Sequence, residues 1–149
     1  MIKALYKAGY RSEYIDPLVK MWRELIEEMG GVNGGGTIIH YAHSLGGSDT
    51  DRARSLLSPE EQAMIRVVTF GSPTWMKNEG FQSVINIISK KDLVSALFDP
   101  HGRWRNFFDS DSNVHYNTSS SGWFEHSLEC DAYNSVITKK GEEFLEEFL

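Results

Sequence analysis

Hydrophobic positions follow a helical spacing in one part of this chain and form short unbroken runs in another. Between Asp16 and Gly31 the apolar residues recur every three or four positions, which predicts an amphipathic helix with one apolar stripe: Leu18, Trp22, Leu25, Ile26 and Met29. Asp16 is the expected N-cap of this helix, Pro17 lies in its first turn, and Gly30-Gly31 ends it. The apolar runs 37–41, 65–70 and 84–88 predict three buried strands.

Segments of helical character separate or follow these strands. Residues 46–57 are expected to be helical, and Ser58-Pro59-Glu60-Glu61 predicts a capped turn. A last helix is expected from Cys130 or Asp131 to the end of the chain, interrupted or bent near Gly141. Strands joined through helices require crossover connections, so the sequence predicts an α/β fold with a parallel sheet of at least three strands between helix layers. The length of 149 residues fits a single domain over 1–149.

No regular element is expected from Leu93 to Phe124, where the periodicity fades. This stretch combines many aromatic residues with polar ones. Such aromatic residues more often build a core, but the alternative that they line an acyl pocket or form a lid stays open.

The composition narrows the class of protein. Fifteen Lys and Arg stand against 21 Asp and Glu, a formal net charge of −6, so nucleic acid and anionic membrane surfaces are unlikely partners. No apolar run is long enough for a membrane span and no secretory signal is seen, so we expect a cytoplasmic protein. The single cysteine, Cys130, is expected to be a small half-buried residue, because alone it forms neither an internal disulfide nor a multi-thiolate zinc site.

Five glycines between Gly30 and Gly36 are compatible with a phosphate-binding loop. A loop of that kind follows a strand and opens a helix. This one follows a predicted helix and opens a predicted strand, which favours a plain connector over a nucleotide-binding domain.

The segment with the clearest chemical character follows the first predicted strand: Ala42-His43-Ser44-Leu45-Gly46-Gly47. A buried strand that breaks into a tight turn presents a serine hydroxyl at its tip, and the strained backbone there requires small residues two positions away. Ala42 and Gly46 occupy those positions. The strict pattern has glycine at both, so Ala42 is a departure from it.

Two further segments follow in order, each at the end of a predicted strand. They are Val67-Val68-Thr69-Phe70-Gly71-Ser72-Pro73 and Asn86-Ile87-Ile88-Ser89-Lys90-Lys91-Asp92-Leu93-Val94. Together with the serine turn they resemble the α/β-hydrolases, most closely the class 3 (fungal-type) lipases. The resemblance spans about residues 37 to 95, with a weaker similarity near His126. It implies a reduced α/β-hydrolase-like three-layer sandwich, apparently short at its N-terminal side.

The resemblance also implies a catalytic triad in the chain order serine, acid, histidine. Ser44 is then the nucleophile, Asp92 the acid and His126 the base, because His126 precedes the last predicted helix, where the family places its catalytic histidine. Asp99 is the alternative acid. His115 and His101 are the alternative bases, whereas the two remaining histidines precede every candidate acid.

The oxyanion hole would use the backbone N–H of Leu45. A second donor normally follows an earlier strand, for which Ile2 to Ala8 followed by Gly9-Tyr10-Arg11 is the one candidate. The alternative is that residues 1–10 are only a lead-in. A second departure from the family is the polar run Ser48-Asp49-Thr50-Asp51-Arg52, which predicts an unusually exposed helix after the serine. Ser72, the rival serine, is interpreted as part of a strand-end turn.

These observations favour a serine acyl hydrolase, esterase-like or lipase-like, that acts on a small-molecule or lipid ester without a metal or organic cofactor. The alternative is a binding or regulatory module that keeps the hydrolase scaffold without activity. Whether the chain is a fragment or a minimal version of the fold, and whether it forms oligomers, stays open at this point.

Overall fold

A computed structural model of the protein describes residues 13–89, 113–117 and 127–147. The helices in this part of the chain are α1 (Ile15–Glu28), α2 (Leu45–Arg54), α3 (Pro59–Gln62) and α4 (Asp131–Glu146). The strands are β1 (Ile38–His43), β2 (Ile65–Phe70), β3 (Ser83–Ser89) and β4 (Val114–Asn117).

The four strands form one sheet in the order β1-β2-β3-β4, and each neighbouring pair is parallel. Ile38 lies opposite Ile65 at the start of the β1–β2 pair, and His43 lies opposite Phe70 at its end. The predicted α/β fold with a parallel sheet is confirmed. The strand β4 was not predicted, because it lies in the stretch that showed no regular pattern.

Helices α1 and α2 cover one face of the sheet. The larger apolar core lies there, and it joins α1 to inward side chains of the strands such as Ile38, Val67 and Val84. Trp22 of α1 is completely buried, and its ring packs edge-on against Phe81 at 5.8 Å between ring centroids. An aromatic side chain at such a position typically contributes about 3–5 kcal/mol to stability.

Helix α4 covers the opposite face. Its Tyr133 is fully buried against Phe70, with 5.6 Å between the ring centroids, in a second core that includes Val68 and Ile87. The Tyr133 hydroxyl accepts a hydrogen bond from the Ser89 backbone N–H at 3.2 Å. The sheet therefore lies between two helix layers, as in a reduced three-layer α/β sandwich.

The helix boundaries differ from the predictions at three places. Helix α2 ends at Arg54, three residues before the predicted end at residue 57. Helix α1 begins one residue before Asp16, so its N-cap is Tyr14, which makes no side-chain capping bond, and Asp16 lies in the first turn instead. Helix α4 runs through Gly141 without the predicted interruption. The glycine end of α1 is confirmed, since Gly30 has φ of +91° and its N–H donates to Glu27.

Helix α2 is not exposed in the way its polar sequence predicted. Ser48, Asp49 and Thr50 are all buried. The Ser48 hydroxyl lies 2.7 Å from the hydroxyl of Thr74, and Thr50 donates a hydrogen bond to the Gly46 carbonyl at 2.7 Å. Hydrogen bonds of this kind offset the desolvation of buried hydroxyls, so a polar sequence forms the buried side of this helix.

Two smaller expectations are confirmed. The Ser58 hydroxyl accepts from the Glu61 N–H at 3.2 Å while the Glu61 carboxylate accepts from the Ser58 N–H at 2.7 Å, which is a complete capping box. Cys130 is half-buried at the start of α4. In the described part of the chain, no helix has both the length and the apolar character that crossing a membrane requires.

The approach of α2 to the loop after β2 leads to a pair of contrasting substitutions. A Cβ atom added at Gly47 would collide with the side chain of Ser72, whereas one added at Gly46 meets no described heavy atom within 4 Å. We expect Gly47→Ala to lower the free energy of unfolding by about 1–3 kcal/mol through overpacking. Gly46→Ala should raise it by up to about 1 kcal/mol through helix propensity.

Urea unfolding of both variants beside the parent protein measures the difference. Equal effects of the two substitutions would contradict the close approach at Gly47.

Candidate active site at the β1–α2 corner

Ser44 occupies a single-residue corner between the last residue of β1 and the first residue of α2. Its backbone angles are φ 52° and ψ −125°. Among the described residues it is the one non-glycine residue with a positive φ. A side chain in this region of backbone space is strained by about 1–3 kcal/mol, and such strain persists only where the surrounding structure imposes it.

Main-chain hydrogen bonds on both sides hold the corner. The Ser44 N–H donates to the carbonyl of Phe70, the last residue of β2, at 2.9 Å. The Ser44 carbonyl accepts from the N–H of Gly47 at 3.1 Å. Ala42 is buried before the corner, and the absence of a side chain at Gly47 lets α2 lie directly against Ser72. The steric requirement for glycine therefore falls on Gly47 in the described structure, not on Gly46 as the motif suggested.

Leu45 is the first residue of α2, so its N–H is among those at the helix start that have no partner within the helix. The helix dipole adds partial positive charge at this end. Leu45 is 40% exposed and Ser44 is half-buried, so both residues reach the surface. This arrangement can stabilise a negative charge that develops beside Ser44.

The half-buried His40 packs against the first turns of α2. The Nε2 atom of His40 lies 3.0 Å from the Thr50 hydroxyl, which itself donates to the Gly46 carbonyl. Because that hydroxyl has only one hydrogen, His40 must donate to Thr50, so Nε2 carries the proton. The indole ring of Trp22 packs edge-on against the imidazole at 5.1 Å. Burial lowers the pKa of His40 to about 4.

An open cleft of about 360 Å³ adjoins the corner. Three elements line it: the start of α1 through Tyr14 and Leu18, the end of β1 over residues 40–43, and the first turns of α2 through Leu45, Gly46, Asp49 and Thr50. Residues on both sides of Ser44 in sequence thus face this cleft. The sequence analysis missed the contributions of Tyr14, Leu18 and Asp49, because their positions became meaningful only once α1 was placed beside β1.

Most of the other predicted site residues lie outside the part of the chain that the structure describes. Asp92 and His126 lie outside the described residues, as do the alternatives Asp99 and His101 and the proposed donor segment 2–11. His115 is exposed on β4, opposite Ile87 and not at a strand end. The structure therefore describes Ser44 and Leu45 but neither Asp92 nor His126, and the catalytic roles of all four stay predictions.

The remaining candidates have structural roles. The ring of His43 lies 6.5 Å from that of Tyr133, on the α4 side of the sheet. The Ser72 hydroxyl donates to the Thr74 carbonyl at 2.8 Å and accepts from the Thr74 N–H at 3.1 Å, which confirms the strand-end turn. Within the described residues, no group of three or more His, Cys, Asp or Glu side chains could hold a metal ion.

Comparison of the chain with protein-family models, with curated proteins and with solved structures finds no match in any of the three. Any functional conclusion therefore depends on the residues of this chain and on the geometry of the corner.

The strain at Ser44 leads to a stability prediction. Ser44→Gly should raise the free energy of unfolding by about 1 kcal/mol, because glycine adopts a positive φ without a penalty from Cβ. Ser44→Ala retains the Cβ and should stay near the parent value. Ser55→Gly is the matched control, since Ser55 has φ of −66° and should lose stability. Urea unfolding measures all three, and a destabilised Ser44→Gly protein would contradict the strained corner.

The lowered pKa of His40 leads to a pH prediction. In the unfolded chain His40 takes up a proton near pH 6.5, whereas in the folded protein it does so only near its pKa of about 4. The unfolded state therefore binds more protons in this window, and the free energy of unfolding should fall by about 3 kcal/mol as the pH drops through it. Above pH 6.5 the contribution should be fully present.

Urea unfolding at a series of pH values gives the free energy of unfolding of the parent protein and of His40→Gln as a function of pH. The difference between the two pH dependences is the contribution of His40. Identical pH dependences would show that His40 titrates normally in the folded protein.

Proposed function

We propose that this protein is a serine acyl hydrolase, esterase-like or lipase-like, with Ser44 as its nucleophile. The observation that carries the proposal is the backbone conformation of Ser44, with φ 52° and ψ −125° between a parallel strand and a helix. A strained serine at this kind of corner is the geometry of the nucleophile elbow in α/β-hydrolases. The strain is a cost to the folded protein, which points to a role for the position of the hydroxyl.

In the proposed mechanism, Ser44 Oγ attacks the carbonyl carbon of an ester and transfers its proton to His126. Asp92 orients the imidazole and stabilises its charged form. The Leu45 N–H donates to the oxyanion of the tetrahedral intermediate. The intermediate collapses when the C–O bond of the alcohol breaks and His126 returns the proton to the leaving oxygen. Water, deprotonated by His126, then attacks the acyl carbon. The bond between that carbon and Ser44 Oγ breaks, His126 returns the proton to Oγ, and the acid is released.

The positions of parallel strands support the convergence of these groups. The carboxyl ends of parallel strands lie at one edge of a sheet, where open α/β sheets bind their ligands. Ser44 directly follows β1, and Asp92 lies three residues after the end of β3 in the chain. The cleft beside the corner is lined largely by uncharged side chains, among them Tyr14, Leu18 and Leu45. Such a lining suits the acyl or alcohol part of an ester.

The alternative function is a non-catalytic module on the same scaffold. The observation that favours it is the position of β1, which is the outermost strand of the described sheet. In a hydrolase of this fold, the second oxyanion donor comes from a loop that follows an earlier strand. Within the described residues no strand lies beyond β1 to supply it.

Labelling with a fluorophosphonate probe distinguishes the two functions. We expect stoichiometric labelling of the parent protein, no labelling of Ser44→Ala, and undiminished labelling of Ser72→Ala, in which the rival serine is removed. On p-nitrophenyl esters of graded acyl length, Ser44→Ala should lose several orders of magnitude in turnover. A well-folded parent protein that neither labels nor hydrolyses any of these esters would favour the non-catalytic module.

Matched pairs of substitutions test the acid and the base. His126→Gln and Asp92→Asn should each lower kcat by about 10³–10⁴-fold, whereas His115→Gln and Asp99→Asn should leave it unchanged. If His115→Gln or Asp99→Asn abolishes hydrolysis instead, the assignment moves to that residue. The nucleophile is tested independently by the probe.

A further inference from the structure

Three hydrogen bonds lead from a side chain of β1 to the backbone of Ser44. His40 donates from Nε2 to the Thr50 hydroxyl, with 3.0 Å between the two atoms. That hydroxyl donates to the Gly46 carbonyl at 2.7 Å. The Gly47 N–H then donates to the Ser44 carbonyl at 3.1 Å. All three bonds lie within the strand, corner and helix that carry the candidate site.

Two peptide groups connect these hydrogen bonds into one chain. The Gly46 carbonyl and the Gly47 N–H belong to the same planar peptide group. The Ser44 carbonyl and the Leu45 N–H belong to another. A hydrogen bond accepted by the carbonyl of a peptide group polarises that group and makes its N–H a stronger donor. Each bond therefore strengthens the next, and the last donor reached is the Leu45 N–H.

The side chains at the start of this hydrogen-bond chain are held in place by packing. The Thr50 side chain is completely buried, and the fully buried Trp22 packs edge-on against the His40 ring. Hydrogen bonds away from water are electrostatically stronger than hydrogen bonds in water. Burial also lowers the pKa of His40 to about 4, so near neutral pH the ring is uncharged and keeps its one proton on Nε2.

A hydroxyl that bonds to the carbonyl four residues earlier is common in helices and often has no further role. Helix α4 contains such a bond, from the exposed Ser135 to the Asp131 carbonyl at 2.7 Å. The bond of Thr50 has a different setting. Its hydroxyl also accepts from His40, and its acceptor lies in the first turn of α2, directly after the corner.

We propose that His40 and Thr50 are positioning residues for the oxyanion donor, which orient and polarise the Leu45 N–H through this hydrogen-bond chain. The inference rests on the proposed hydrolase function. No proton moves along the chain, and its effect is greatest when negative charge develops on the ester carbonyl oxygen. One such donor is worth about 10²–10³-fold in rate. Strengthening it by about 10–30% therefore corresponds to about two- to eight-fold.

Single-turnover acylation with the enzyme in excess tests the proposal on two substrates, a p-nitrophenyl ester and the matching thionoester. Thr50→Val removes the hydroxyl and keeps the branched shape of the side chain. It should lower the maximal rate on the ester by about two- to eight-fold, with the half-saturating concentration unchanged. The thionoester rate should stay constant, because sulfur is a weak hydrogen-bond acceptor. A substitution that only displaced Ser44 would slow both substrates.

The ratio of the ester rate to the thionoester rate is the readout for the control variants. Thr50→Ser keeps the hydroxyl and should restore the ratio. His40→Phe should lower the ratio in the parent protein but have no further effect in Thr50→Val, where the chain is already broken. Ser135→Ala is the matched control, since it removes the same kind of bond on α4, and it should leave the ratio unchanged.

The outcomes separate this inference from the proposed function. An active parent protein whose ratio is unchanged in Thr50→Val overturns the inference and leaves the hydrolase function in place. A folded parent protein that neither reacts with the fluorophosphonate probe nor hydrolyses esters overturns both. Circular dichroism confirms that each variant is folded. If Thr50→Val does not fold, Thr50→Ala decides the outcome, because it also lacks the hydroxyl and fits the same space.

Discussion

The hydrogen bond from the Ser44 N–H to the Phe70 carbonyl joins the sheet to the strained corner. It continues the β1–β2 register by one residue beyond the last paired position, so the chain cannot relax at Ser44 without breaking the end of the sheet. Helix α2 then leaves in a direction that brings Gly47 against Ser72. The position of the serine hydroxyl is therefore a consequence of strand pairing and of one close contact, and not of the serine itself.

Buried and half-buried polar side chains hold the elements around this corner together. On the α2 side, His40 and Thr50 connect β1 to the first turn of the helix. Beneath the loop after β2, the buried amide of Asn86 accepts from the Thr69 hydroxyl at 2.9 Å and donates to the Met76 carbonyl at 2.9 Å. Each contact is neutral and hydrogen-bonded, which makes burial tolerable and the geometry specific. The β1–α2 corner and the loop after β2 are thus each held in place by hydrogen bonds of polar side chains.

Local patterns in the sequence predicted much of this structure. The spacing of Trp22 and Ile26, the apolar run 65–70 and the glycines after Met29 report on single elements, and these predictions agree with the structure. Where a residue depends on distant parts of the chain, local pattern was insufficient. The burial of Asp49 depends on α1 packing beside α2, and β4 is held by its pairing with β3 despite a weak pattern of its own.

The residues of the candidate site also differ in how far local sequence predicts them. The serine turn is a local feature, since strand, corner and helix are contiguous, and Ser44 and Leu45 could be assigned from sequence. The predicted roles of Asp92 and His126 require separate parts of the chain to converge on Ser44, which no local pattern encodes. Their assignment rests on chain order and on the resemblance to a known family. The contact of His40 with Thr50 was also missed, because it depends on how α2 packs against β1.

The all-parallel sheet has a consequence for how this chain acquires its structure. No two of the described strands are joined by a hairpin, and the loop closed by the β1–β2 pair contains the whole of α2 and α3. The entropy of closing such loops is lost before any strand pairing compensates for it, and domains rich in these distant contacts fold slowly. During that interval the uncharged β1 segment can pair with other chains, so it is a point of aggregation during synthesis.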